Sequence, residues 1–236
     1  MRSIKLLGLS ALALSLMAFA ASAAQATTEP PEWMINGADV TLAKTLEASV
    51  VVQSLENNSA ELLVQVGSIH VLITCTAAQL TNAKTLPHGK LTQGFATFTG
   101  CSTKLNGEAA PKCETHSPGD PVGTIISEEG TGQLKLVGGV PVTELTSVVE
   151  GEGGGSLFAV IEMGEKCSIG EFVEVEGSLT VKDCKGLGET EATTHLIEEG
   201  PGSSLVALNN PAKLIGSAIL TLGGTHATKT WSGLAG

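Results

Sequence analysis

The stretch TGCSTKLNGEAAPKCETHSPG, Thr99 to Gly119, gathers Cys101, Cys113 and His116. Two thiols and an imidazole so close together have three chemical uses: metal ligands, a redox pair, or a covalent staple. The metal use takes Cys113-Glu114-Thr115-His116 as a C-x-x-H pair with Cys101 as a third ligand. Structural zinc wants four ligands, usually in two closely spaced pairs, and here the second pair is lacking. No C-x-x-C occurs, so a redox dithiol has no support. The staple fits better, because Cys101 and Cys113 flank STKLNGEAAPK, whose Asn106-Gly107 and Pro111 let the chain reverse. Closing that loop is worth about 3 kcal/mol in the chain-entropy model. A Cys101–Cys113 disulfide is therefore expected, with no metal and no cofactor, and His116 becomes a loop residue.

Other groups able to do chemistry fall into weaker patterns. Glu174 and Glu176 in FVEVEGSLTV form a carboxylate pair, but Val173 and Val175 alternate with them, so the glutamates belong to a solvated strand face. Gly151-Glu152-Gly153-Gly154-Gly155-Ser156 resembles a phosphate loop without the lysine, and it leads into the strand-like SLFAVIEM rather than a helix. A hairpin connection is the simpler reading. His70 sits in SIHVLITC opposite the face shared by Ile69, Val71 and Ile73; His88, His195 and His226 stand apart from one another. The chain contains no HExxH, no G-x-S-x-G and no H-x-H. Asp39, Asp120 and Asp183 are the only aspartates, too dispersed for a calcium loop.

The elements that carry these residues read as short antiparallel strands. WMI-NG-ADVTL places Asn36-Gly37 between apolar residues, a two-residue hairpin signal. ASVVVQSL, ELLVQV and SIHVLITC follow, broken at Asn57-Asn58 and Gly67-Ser68, and the pattern continues to THATKTW with glycine-rich punctuation. About a dozen short strands at this spacing predict an all-β fold, an antiparallel sandwich or partly open barrel with little helix. Only TLAKTLEAS and the stretch from Ala77 to Lys84 could host a helical turn.

The chain of 236 residues opens with Arg2 and Lys5 ahead of the apolar run Leu6 to Ala20 and then small residues, the pattern of a secretory signal peptide. Cleavage is expected after Ala23 or Ala26, so 1–26 is leader, 27–32 a short polar lead, and 33–236 a single β-rich domain. The apolar run is shorter than the roughly 20 residues that span a bilayer, and no second such run follows, so no integral span is expected after cleavage. Cleavage leaves 11 of 13 basic residues against 24 acidic ones, a formal charge of −13. Arg2 is the only arginine and tyrosine is absent. A nucleic-acid role needs basic patches and is excluded on this composition. The aromatic girdles of an outer-membrane barrel are excluded as well, since six rings remain.

The order ITC, FTGC, KC-x-x-x-SPG, SLFAVIE followed by a cysteine, and KLIGSAILTL…THATKTWSG resembles a group of exported β-rich proteins abundant in actinobacterial genomes, with no assigned activity. The resemblance runs from the W-x-I-N-G start to the W-S-G end and implies location and architecture only. Its four recurring cysteines match Cys75, Cys101, Cys113 and Cys167, which implies Cys101 with Cys113 and Cys75 with Cys167. Cys184 then becomes the unpaired thiol; the alternative joins Cys184 to Cys167 and leaves Cys75 reduced.

The expected function is an exported, non-enzymatic binding or structural module of the cell envelope or medium, meeting an envelope or extracellular ligand. The alternative is a secreted, carbohydrate-active hydrolase using a glutamate pair. Self-association through a strand edge or through Cys184 is a further expectation.

Overall fold

A computed structural model describes residues 31–40, 50–183 and 192–234. The leader with its cleavage sites, the TLAKTLEAS segment and Cys184 lie outside the described residues.

Every ladder is antiparallel, and the all-β expectation holds. β1 (Glu32–Ile35) and β2 (Ala38–Asp39) turn on Asn36-Gly37, as the sequence predicts. β3 (Val50–Val66) and β4 (Ile69–Cys75) turn on Gly67-Ser68, and β5 (Ala77–Thr81), β6 (Thr85–Leu86) and β7 (Lys90–Thr99) follow. β8 (Ser102–Leu105) and β9 (Glu108–Ala109) turn on Asn106-Gly107. β10 (Thr124–Ile126), β11 (Gly130–Val137), β12 (Val140–Ser147), β13 (Leu157–Glu162), β14 (Phe172–Glu176) and β15 (Ser178–Asp183) come next. β16 (Thr194–Glu199), β17 (Val206–Ala207), β18 (Asn210–Leu222) and β19 (Trp231–Leu234) complete the series.

Two expectations change. Ala77 to Lys84 carries strand β5 rather than a helical turn, because β7 offers it a ladder from Ala77↔Thr99 to Thr81↔Phe95. Asn57-Asn58 does not end a strand either. Gly216 pairs with Ala60 but Ser217 pairs with Glu56, so the residues between Glu56 and Ala60 form a bulge inside one long strand. Bulges bend a strand without ending it. Gly216 makes the bend possible at φ +127°, where a Cβ would stand 2.8 Å from the Ser59 carbonyl oxygen.

The long strands β3 and β18 bend together, and β18 serves two hydrophobic cores, with Leu214 at the first and Leu220 and Leu222 in the second. One holds Val71, Ile73, Ile161, Met163, Val173 and Val175 with all four described cysteines. The other holds Trp33, Ile35, Val40, Leu134, Leu222 and Trp231, and there β19 pairs β1 so that Trp231 faces Ile35. The main sheet runs β7, β11, β12, β15, β16, β18, β3, β4. The chain passes from β4 into β5, which returns to β7, while β5 and the first half of β3 form no ladder. The sheets therefore curl strongly without closing into a barrel.

The disulfides correct the expected pairing. Cys75 joins Cys101 and Cys113 joins Cys167, in place of Cys101–Cys113 and Cys75–Cys167. The reason lies in register. β4 pairs β8 with Thr74 opposite Ser102, and β5 pairs β7 with Ala77 opposite Thr99, so Cys75 and Cys101 stand opposite each other between two segments of one ladder. The Asn106-Gly107 reversal does form, but its ladder ends where the Cys113 N–H donates to the Ala110 carbonyl at 2.9 Å. That turn contains Pro111, which has no N–H to continue a ladder. Cys113 swings toward the end of β13, where the Glu114 N–H donates to the Met163 carbonyl at 2.8 Å, and meets Cys167.

Candidate functional site

The opening stretch is not a ligand cluster. Its two sulfurs are bridged to distant partners, and His116 is a half-buried residue whose Nδ1 lies 2.9 Å from the Ser117 carbonyl oxygen. Among the described residues, no three His, Cys, Asp or Glu side chains converge as metal ligands.

The glycine-rich loop holds a carboxylate of its own chain. The Gly153 N–H donates to Glu176 Oε1 at 3.0 Å and the Glu152 N–H to Glu174 Oε2 at 3.4 Å. A Cβ on Gly151 would stand 2.1 Å from Glu176 Oε1, so the missing side chain leaves room for that carboxylate. The two glutamates on the outward face of β14 thus brace a hairpin.

A buried acid and base were missed in the sequence. Asp183, the last residue of β15, and His195, on β16, meet through Oδ2 and Nδ1, and each side chain is only 2 % exposed. His195 Nε2 lies 2.6 Å from the Trp231 carbonyl oxygen. A carbonyl only accepts, so Nε2 is the donor there. The imidazole also packs edge-on against the Trp231 ring at 4.3 Å between centroids. Both ring nitrogens are occupied and water is excluded, so the pair serves as a structural clasp between the main sheet and β19. The readable signal was strand parity: Asp183 shares its face with Leu179 and Val181, and His195 with Ile197, which places both on core-facing positions.

Beside a polar cleft of about 710 Å³ bordered by Lys84, Lys90 and Gln133, an apolar hollow lies where the two cores meet. An apolar cavity of about 170 Å³ extends from Trp33 and Trp231 to Phe98 and Leu214. Two smaller cavities, of about 80 and 40 Å³, adjoin it. Leu91 and Leu145 border the first and second, Phe98 and Leu214 the first and third, and Phe158 borders all three. Phe158 owes this position to a bulge: Leu157 pairs with Glu176 and Ala159 with Val175, leaving Phe158 as the extra residue of β13. Bulges re-aim side chains in this way.

The lining reaches exposed Gln79 of β5 and exposed Ile215 and Gly216 of β18, beside the missing ladder between β5 and β3. The bend of β18 at Gly216 therefore lies in the wall of the cavity. Charges at the lining of the 170 Å³ apolar cavity are few. Glu198 pairs with Lys182 at 2.8 Å, and neighbouring Glu199 has no ion-pair partner among the described residues. Trp231 is 3 % exposed, and its indole Nε1 has no hydrogen-bond partner among the described residues. The sequence offered no direct sign of the cavity, since its walls are ordinary core residues brought apart by bulges.

No family model, no curated protein and no solved structure matches the chain.

Proposed function

We propose that the chain is an exported, non-enzymatic binding module of the cell envelope or medium, and that its ligand is a small apolar molecule held where the two cores meet. The cavity carries this reading. Protein interiors pack to crystal-like density with few voids larger than a water molecule, whereas three apolar voids adjoin here around one bulged phenylalanine. An apolar cavity of about 150 Å³ stays dry and accepts benzene, so the largest of these has room for a ligand. Ligand pockets favour such junctions and such walls, with a few polar groups at the edge. Export is supported by the leader pattern, by the acidic composition, and by two disulfides of the kind that persist in oxidising compartments. The resemblance to exported actinobacterial β-proteins points the same way.

The glycosidase alternative needs two carboxyls facing each other across a cleft, roughly 5 to 9 Å apart. Glu174 and Glu176 brace the glycine loop instead. Glu198 and Glu199 at the cavity are successive residues of one strand, which point to opposite faces. No observation favours that reading.

Titration with the neutral dye N-phenyl-1-naphthylamine tests the proposal. One saturable site per chain is expected. Ala96, on the wall shared by the first and second cavities, is the position to fill: Ala96→Phe should weaken the dye by about tenfold, the equivalent of losing part of one buried ring, with an unchanged far-ultraviolet circular dichroism spectrum. Absence of saturable binding in the unmodified protein would overturn the proposal.

A further inference from the structure

We infer that the polar cleft over β6, β7 and β11 is a second binding site, separate from the apolar cavity, and that it takes a small hydroxylated anion such as a sugar acid. It stands or falls independently of the apolar ligand. Register, charge and hydrogen-bonding capacity carry it.

Register builds the floor. Leu86 and Gln133 stand opposite Lys90 on either side of β7. One step along, the Lys84 N–H donates to Thr92 Oγ1 at 2.9 Å and the Thr92 N–H to the Lys84 carbonyl at 2.9 Å, so Lys84 stands opposite Thr92. Residues two apart on a strand share a face, which makes Lys84 and Lys90 diagonal neighbours with Cβ atoms about 7–8 Å apart. Two four-carbon stems at that separation can bring both ammonium groups to one carboxylate. The cleft above them holds about 710 Å³, within the range of roughly 300–1,000 Å³ typical of ligand pockets.

Charge shows what the floor lacks. In this chain of net charge −11, glutamates match Lys135 at 2.6 Å and Lys182 at 2.8 Å. Lys90 is exposed and has no ion-pair partner among the described residues. Like charges side by side on a strand face are destabilising. An anion between Lys84 and Lys90 relieves that repulsion.

The uncharged groups select among anions. Gln133 Nε2 donates to the His88 carbonyl at 2.9 Å and to the Leu134 carbonyl at 3.1 Å, which uses both amide protons and leaves Oε1 as an acceptor. Glu129, farther along the same wall, is an acceptor as well. A bare carboxylate brings no donor to either group. A ligand with its carboxylate at the lysines and hydroxyls toward Gln133 and Glu129 meets both needs.

The test is titration of the ¹⁵N-labelled mature chain with D-glucuronate, D-glucose and acetate at neutral pH and low salt, followed by amide chemical shifts. Glucuronate should shift Lys84, Lys90, Thr92 and Gln133 saturably and bind about tenfold more tightly than glucose, which lacks the charge, or acetate, which lacks the hydroxyls. Lys90→Gln should weaken glucuronate about fivefold, the scale of one exposed charge pair, and added salt should weaken it too. Lys104→Gln, on β8 and outside the cleft, should leave it unchanged. Unsaturable or scattered shifts with glucuronate, equal binding of glucose or acetate, or full affinity in Lys90→Gln would each overturn the inference.

Discussion

Replacing His195 by alanine is expected to lower the free energy of unfolding by about 3–5 kcal/mol, read as a shift in the urea midpoint. The substitution removes one imidazole and takes a charge-assisted partner from Asp183 and a donor from the Trp231 carbonyl. Asp183 would keep a carboxylate in a site where its side chain is 2 % exposed, and the Trp231 carbonyl would lose the donor now 2.6 Å away. Breaking a buried pair from one side costs more than the pair contributes, because the survivor stays desolvated while losing its charged partner. Against a typical total of about 5–15 kcal/mol, that loss is large. Because the clasp joins β15 and β16 to β19, and β19 carries Trp231 of the second core, the dye site should weaken along with stability. Replacing both partners by leucines should recover part of the loss, since apolar pairs tolerate such a site. A change below about 1 kcal/mol in His195→Ala would show that the clasp is absent from the folded protein.

Removing the Cys113–Cys167 bridge by paired alanine substitution should cost about 4 kcal/mol, and removing Cys75–Cys101 about 3.5 kcal/mol, in the chain-entropy model for closed loops of these sizes. The sequence separations are 54 and 26 residues. The two bridges also differ in what remains when they are lost. Cys75 and Cys101 lie between two paired segments of one ladder, from Val71↔Leu105 to Thr81↔Phe95, so backbone hydrogen bonds still hold those strands together. Cys113 and Cys167 lie in turns, and without their bridge the 110–124 connection is held to the end of β13 by the backbone bonds of Glu114 to Met163 and of His116 with Glu162. Reduction of both bridges removes a stability comparable to that of a whole domain, and the reduced chain should unfold at or near ambient temperature. Peptide mapping without reduction should yield one linked pair containing Cys75 and Cys101 and another containing Cys113 and Cys167. A Cys101–Cys113 peptide would contradict the register on which the fold rests.

Much of the architecture could be read from residue patterns. Alternation in FVEVE predicts the buried Val173 and Val175 and the outward glutamates, and Asn36-Gly37 predicts the β1–β2 hairpin. These signals are local, acting within one strand or one turn. The errors arose where a property depends on two distant strands. Asn106-Gly107 correctly marked a reversal, but the disulfide partner of Cys101 is set by the register of β4 and β5 against β7 and β8. Asn57-Asn58 looked like a break because turn residues and bulge residues share composition, and only the pairing of β3 with β18 distinguishes them. Cavity and clasp are less legible still. The cavity arises from bulges at Phe158 and between β3 and β18, and the clasp joins Asp183 and His195 across a segment whose path does not show in composition.

The claim that an apolar ligand enters where the two cores meet can be tested with the protein's own fluorophores. The chain has two tryptophans and no tyrosine, and both Trp33 and Trp231 line the apolar cavity between the cores. A brominated neutral chain such as 10-bromodecan-1-ol should quench the intrinsic emission saturably, with a midpoint that matches its displacement of the dye, and Ala96→Phe should move both midpoints together. Quenching that rises linearly with bromoalcohol concentration, without saturation, would be collisional and would contradict occupation of the cavity.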